Sequence, residues 1–179
     1  MKKIDWNAVE EIKEFARLCE GGYVCKIIKV EDVPDKEYLL VYCDVAEGEF
    51  KDYGYNNEAA NGNDWNYIKL FRSYKPSAQG FFKSFLSTLE KSNPRRFAVS
   101  TFDGNEHKLV GLQLGIVLGE EEYQGKDGDV KLRTYAKTLT TPEAIRKGDF
   151  KVPELKKLPG NVPEAPATNY TAVSNDCPF

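Results

Sequence analysis

The sequence is poor in the residues that build most metal and catalytic centres. Its 179 residues include a single histidine, His107, and four cysteines without a C-x-x-C pair. A structural zinc site, which needs closely spaced Cys or His ligands, is therefore not expected. No G-x-S-x-G, P-loop, H-E-x-x-H or Rossmann glycine pattern occurs either. These absences predict a protein that is not an enzyme and that holds no metal or cofactor.

Long apolar runs are also missing. No stretch approaches the roughly 20 residues of a membrane span, and "MKKIDWNAVEEIKEF" becomes acidic where a signal peptide would be apolar. We therefore expect a cytoplasmic protein without a membrane segment. In such a reducing compartment Cys19, Cys25 and Cys43 are expected to act as small apolar residues.

Basic residues are absent from the end of the chain. All 25 Lys and Arg residues lie in 1–158, although the whole chain has a net charge of −3. Residues 159–179 instead contain four prolines and little that could form a core, which is typical of a disordered tail. The sequence thus predicts three parts: an N-terminal helix in 1–20, a folded domain in 21–158 and a tail in 159–179.

The folded domain reads as five strands with a helix after the third. An amphipathic helix is predicted from about Trp6 to Cys19. Strands are predicted at 23–30, 38–45, 65–74, 108–123 and 130–139, helices at 77–94 and 141–148, and a long polar loop at 46–64. The order β-β-β-α-β-β is that of an OB-fold, a five-stranded Greek-key barrel. The expected fold is therefore mainly β with helices.

Alternation along three strands predicts one apolar face and one aromatic or basic face. In an OB-fold, strands two and three carry the oligonucleotide-binding face. Aromatic rings there can stack on unpaired bases while cations follow the phosphates. The predicted nucleic-acid-binding residues are Tyr38, Tyr42, Trp65, Tyr67, Lys69, Phe71, Arg72, Lys75, Lys131, Arg133, Tyr135 and Lys137.

Other interpretations of these residues stay open. The aromatic face can instead pack under the N-terminal helix or form a homo-oligomer interface. The acidic run "GEEEY" (119–123) is typical of a solvated strand edge, although a nuclease could use carboxylates. The segment 147–158 reads either as an arm packed back through Phe150, Val152 and Leu155 or as an extra path of lysines.

The last residues, "NDCPF", resemble the acidic tip of bacterial single-stranded DNA-binding proteins, which ends in Pro-Phe and recruits replication and repair enzymes. Asp176, Pro178 and Phe179 match that pattern. Cys177 stands where an aliphatic residue is usual, and a single acid precedes it. The resemblance implies a partner-binding tip in which the Phe ring fills a pocket and the carboxylates meet basic residues.

The body resembles a family of phage and prophage proteins from low-GC Gram-positive bacteria, mostly catalogued as a domain of unknown function. The similar segments include "GGYVCKIIKVEDVPDKEYLLVYCDVAEGEFKDY", "FRSYKPSAQGFFKSFLSTLEKSNP" and "KLVGLQLGIVLGEEEY". The resemblance implies a setting of phage replication or recombination in a bacterial host. The predicted function is a single-stranded DNA-binding protein that recruits replication or recombination proteins through its tip. The alternative is a non-catalytic interaction module.

Overall fold

The computed structural model describes residues 17–159. Within that range the order is β1 (Gly21–Val33), β2 (Tyr38–Val45), α1 (Tyr53–Asn61), β3 (Ile68–Ser73), α2 (Gln79–Ser92), β4 (Gln113–Gln124), β5 (Val130–Thr140) and α3 (Pro142–Lys147). Most of the predicted N-terminal helix and nearly all of the tail, including its tip, lie outside the described residues. Residues 17–19, the predicted end of that helix, are not helical.

The five strands form one antiparallel sheet in the order β3-β2-β1-β4-β5. The long strand β1 pairs with β2 through residues 25–33 and with β4 through residues 21–26. Bulges at Ile28 in β1 and Lys137 in β5 increase the local twist. The edge strands β3 and β5 line one cleft, although no ladder joins them in the described range. The prediction of a mainly β fold with five strands and helices is confirmed; the five strands form an open antiparallel sheet, which is compatible with a barrel-like fold.

The core lies between the inner face of the sheet and α2. The apolar face predicted for β2 is confirmed, since Leu39, Val41, Cys43 and Val45 are all buried, although Tyr42 and Asp44 on the opposite face are buried as well. Phe85, Leu86 and Leu89 of α2 form the buried stripe of an amphipathic helix, because positions three and four apart share one face. Cys25 and Cys43 are free and fully buried, so both act as small apolar residues.

The helix α1 corrects the prediction of a polar loop at 46–64. Its residues carry no apolar stripe that would indicate a helix. A distant carboxylate holds its first turn instead: Asp44 accepts hydrogen bonds from the backbone N–H groups of Val45 (2.8 Å), Gly54 (2.7 Å) and Tyr55 (2.9 Å). Asp44 thus takes the role of an N-cap, although it lies in the preceding strand.

Local backbone conformation and capping set the start of β4 and the two ends of α3. The predicted fourth strand begins at Gln113 rather than at 108, because a 3-10 helix (Glu106–Leu109) and Gly111 at φ +84° precede it. The short helix α3 is confirmed, with the Thr141 side chain accepting from Ala144 N and Gly148 ending it in a left-handed conformation.

Residues 148–158, here called the arm, pack back onto the sheet. Lys156 of the arm forms a parallel β-bridge with Glu121 of β4. This bridge lies on the edge of β4 that β1 leaves unpaired, because the ladder between β1 and β4 ends at Leu118. Pro153 lies so close to Gly119 that a side chain there would collide with the proline ring. Phe150 and Val152 are half-buried, whereas Leu155 is 38% exposed. The structure therefore supports the packed-back interpretation for Phe150 and Val152, while the lysines of the same segment, Lys151 and Lys156, are exposed.

Candidate functional site

A cleft of about 610 Å³ opens where the sheet edges β3 and β5 approach each other; we call it the seam cleft. Seven of the twelve predicted binding residues line it: Trp65, Tyr67, Lys69, Phe71, Arg72, Arg133 and Tyr135. Residues from two strands far apart in sequence therefore meet in one concave site. Concave sites with a few polar groups are where ligands usually bind.

A second cleft of about 480 Å³ lies between β5 and the arm; we call it the arm cleft. Its lining includes Lys137, Lys151 and Lys156, and Tyr135 lines both clefts. The two clefts therefore adjoin at Tyr135. Together their walls carry seven basic and two acidic side chains, a local charge of +5 on a chain whose net charge is −3.

Several of these cations already hold acidic partners. Arg133 contacts Glu121 at 2.7 Å, Lys69 contacts Asp64 at 2.8 Å, Lys156 contacts Glu121 at 3.0 Å, and Arg17 pairs with Glu120. Arg72, Lys137 and Lys151 form no ion pair with any residue in 17–159. These three are the lining cations most free to meet an added anion.

The aromatic wall of the seam cleft is exposed. Trp65 is 80% exposed and Phe71 is 61% exposed, so both rings present flat apolar surface to solvent. Tyr38, which contacts the Phe71 ring edge-on with centroids 5.5 Å apart, supports it from the neighbouring strand. Stacking on unpaired bases requires rings of this kind.

Tyr67 is held more firmly than its neighbours. Its ring lies directly against Gly54 of α1, where a Cβ atom would collide with it. Its hydroxyl donates to Glu58 Oε2 at 2.5 Å. Burial, and secondarily the Glu58 carboxylate, raise the pKa of Tyr67 well above its ordinary value. These contacts fix the position of the Tyr67 ring, which forms the inner end of the aromatic wall.

Tyr42 lies on the predicted outer face, but its neighbours cover it. It is 6% exposed, with Lys29 Nζ 5.0 Å and Lys69 Nζ 5.1 Å from its ring centroid. Its hydroxyl donates to Glu31 at 3.1 Å, and burial together with this carboxylate raises the pKa of Tyr42 to about 12. In this conformation the ring packs inside a polar cluster rather than facing a ligand.

The remaining predicted residues lie outside the seam cleft. Lys131 pairs with Asp127 at 2.5 Å in the β4–β5 turn, and Lys75 is exposed beyond the end of β3. Sequence reasoning did not assign Lys151 and Lys156 to the site, although the lysines of 147–158 were noted as a second interpretation. It also did not assign Arg17, which lines the seam cleft.

The acidic run at 120–122 is not a free solvated edge. All three carboxylates have partners: Arg17 for Glu120, Arg133 and Lys156 for Glu121, and the backbone N–H of Leu158 for Glu122. Lys156 and Arg133 hold the pKa of Glu121 below its usual range. Through these ion pairs and hydrogen bonds, the acidic run of β4 connects the start of the described chain, β5 and the arm.

No protein-family model matches this sequence, and no curated protein is detectably similar to it. In residues 17–159 no group of three or more His, Cys, Asp or Glu side chains converges to hold a metal ion. No helix in the same part of the chain is long and apolar enough to cross a membrane.

Proposed function

We propose that this protein binds single-stranded DNA in the groove formed by the seam cleft and the arm cleft. The observation that carries the proposal is the gathering of exposed rings and seven cations around two neighbouring clefts of an otherwise acidic protein. Rings offer stacking to every base, and cations neutralise the backbone, so the expected binding has little sequence preference.

The topology supports an OB-fold interpretation. Three consecutive antiparallel strands are followed by a helix, β1 pairs with both β2 and β4, and β3 faces β5 across the seam. This arrangement is compatible with the five-stranded, partly open barrel that binds oligonucleotides in many proteins. The proposed site is centred on the seam rather than on the outer face of β2, where Glu31 already pairs with Lys29 and the Tyr42 ring is covered.

The test is fluorescence anisotropy of labelled oligo-dT, measured between 50 and 200 mM salt with duplex competitor. If about four phosphates are neutralised, affinity falls about 50-fold over that range, since the single-strand slope is ~0.7 per phosphate. Binding that persists unchanged in salt, or that duplex abolishes, contradicts the proposal.

Trp65 and Phe71 allow a matched comparison. Trp65→Ala and Phe71→Ala remove exposed rings from the groove and are each expected to weaken binding about tenfold, within the range measured for single stacking contacts. Phe81, 77% exposed on α2 and outside both clefts, provides the control Phe81→Ala. Equal affinities for all three variants would place the binding elsewhere.

The setting in phage replication or recombination and the recruiting role of Asp176, Cys177, Pro178 and Phe179 remain part of the proposal. Deletion of 175–179 is expected to leave oligo-dT affinity intact or slightly raised while abolishing capture of replication or recombination proteins. Loss of DNA binding on that deletion would contradict this division of labour.

A homo-oligomer interface is the second candidate, because Trp65 and Phe71 expose apolar surface that an identical subunit could cover. It predicts a stable oligomer by light scattering, which Trp65→Ala dissociates and in which acrylamide does not quench Trp65, measured in a Trp6→Phe background because the chain has a second tryptophan. A monomer that binds oligo-dT and shows a quenchable Trp65 excludes it.

A further inference from the structure

Arg72 is the least compensated charge in the seam cleft. It lies on the inner side of β3, opposite Leu39 of β2, and its guanidinium is 5.5 Å from the centroid of the Phe85 ring. Its Nε is buried and makes no hydrogen bond within residues 17–159. Buried polar groups in folded proteins nearly always have partners, so such an exception needs a reason.

The positive charge of Arg72 also has no acidic partner in the described range. No carboxylate in the described range forms an ion pair with it, although the other three cations of the seam cleft each have one. Burial lowers the pKa of Arg72, which means that the surroundings disfavour its positive charge. An anion entering the cleft would reverse that penalty.

The geometry around Arg72 suits a phosphate. The guanidinium carbon lies over the Phe85 ring, 5.5 Å from its centroid, which is within cation–π range, and no hydrogen bond within residues 17–159 engages its N–H donors. Nε is buried, so the fork open to an entering phosphate is that of the two Nη groups, which matches two phosphate oxygens. Phe71, the preceding residue, lies on the opposite face of β3. Its exposed ring is available to stack on the base next to that phosphate.

We infer that Arg72 anchors a discrete phosphate site in the seam cleft. The inference rests on the proposed function, to which it adds one specific phosphate contact: Arg72 grips a backbone phosphate while the nearby rings hold bases. The site would also accept a small free phosphate compound, because its recognition is of the phosphate group alone.

Two measurements test the site. The first is oligo-dT anisotropy against salt for the wild type, Arg72→Gln, Arg72→Lys and the exposed control Arg96→Gln, which lies outside both clefts. Arg72→Gln is expected to weaken binding about 10- to 100-fold, the range for a charged hydrogen-bonded pair. It should also reduce the salt slope by ~0.7, as one lost phosphate contact does. Arg72→Lys keeps the slope but loses affinity, because it lacks the fork.

The second measurement is the melting temperature with and without millimolar pyrophosphate. Pyrophosphate is expected to raise the melting temperature of the wild type and of Arg96→Gln, but not that of Arg72→Gln. Urea midpoints check folding, and Arg72→Gln is expected to be at least as stable as the wild type because it removes an uncompensated charge. If Arg72→Gln fails to fold, Arg72→Lys decides through its smaller response to pyrophosphate.

The outcomes separate this inference from the proposed function. If oligo-dT binds and Arg72→Gln behaves like Arg96→Gln in both measurements, the phosphate site is overturned and the proposed function stands. If oligo-dT does not bind but pyrophosphate stabilises the protein through Arg72, the site stands and the proposed function falls. A pyrophosphate effect that is unchanged in Arg72→Gln overturns the site in either case.

Discussion

Replacement of Asp44 should release α1 from the sheet. The carboxylate is 6% exposed and accepts from the backbone N–H groups of Gly54 and Tyr55 in the first turn of α1. Asp44→Ala leaves both donors without that partner, at about 1.5 kcal/mol each, so we expect a loss of about 3 kcal/mol in the free energy of unfolding. For a chain of this size, that corresponds to a melting temperature lower by about 6–12 °C.

The milder variant Asp44→Asn keeps one acceptor oxygen and should cost about half as much. Asp52→Asn is the matched control, because Asp52 occupies the N-cap position of α1 without making a side-chain cap hydrogen bond. Asparagine also tolerates the left-handed backbone of that position. The control is expected to stay within about 0.5 kcal/mol of the wild type.

The assay is urea unfolding combined with amide hydrogen exchange of α1. Faster exchange at Gly54 and Tyr55 in Asp44→Asn, but not in Asp52→Asn, would locate the effect at the helix start. If the two asparagine variants have the same urea midpoint and the same protection in α1, then Asp44 does not hold this helix. The reasoning that tertiary capping replaces sequence pattern in residues 53–61 would then be refuted.

Three further predictions concern the surroundings of the groove. Because the pKa of Tyr42 is about 12 in the folded chain and its ordinary value is 10.0, stability should fall as pH rises from about 10 to about 12, where only the unfolded chain has lost the proton. Tyr42→Phe should flatten that fall in urea midpoints. Gly119→Ala should cost about 1–3 kcal/mol by pushing the arm from β4, whereas Gly80→Ala in α2, with open space around it, should be neutral or stabilising in thermal melts. Glu121→Gln frees Arg133 and a lysine of the arm, so oligo-dT affinity at low salt should rise; a fall would contradict the groove's extension to the arm.

Local pattern was sufficient wherever burial followed the period of the element. The alternation in β2 predicted its buried side chains, and the stripe of Phe85, Leu86 and Leu89 predicted α2. The Thr141-Pro142 start and Gly148 end predicted α3. These signals depend on neighbouring residues alone, which a sequence displays directly.

The pattern failed where a distant group supplied the stabilising contact. The helix α1 has no apolar stripe, and the carboxylate that holds its first turn lies in the preceding strand, in Asp44. Tyr42 follows the expected alternation, yet two lysines and Glu31 cover its ring. Alternation assigns a side chain to a face but does not say what else lies on that face.

The sequence by itself determined the order of the five strands along the chain, the amphipathic elements and a set of aromatic and basic residues on β3 and β5. Only the tertiary structure brought those strands together across the seam, because the curling of a sheet depends on bulges and on long-range pairing. It also decided which cations meet acids and which, such as Arg72, are left without one. Charge compensation depends on distances in space, and a linear chain does not specify them until it has folded.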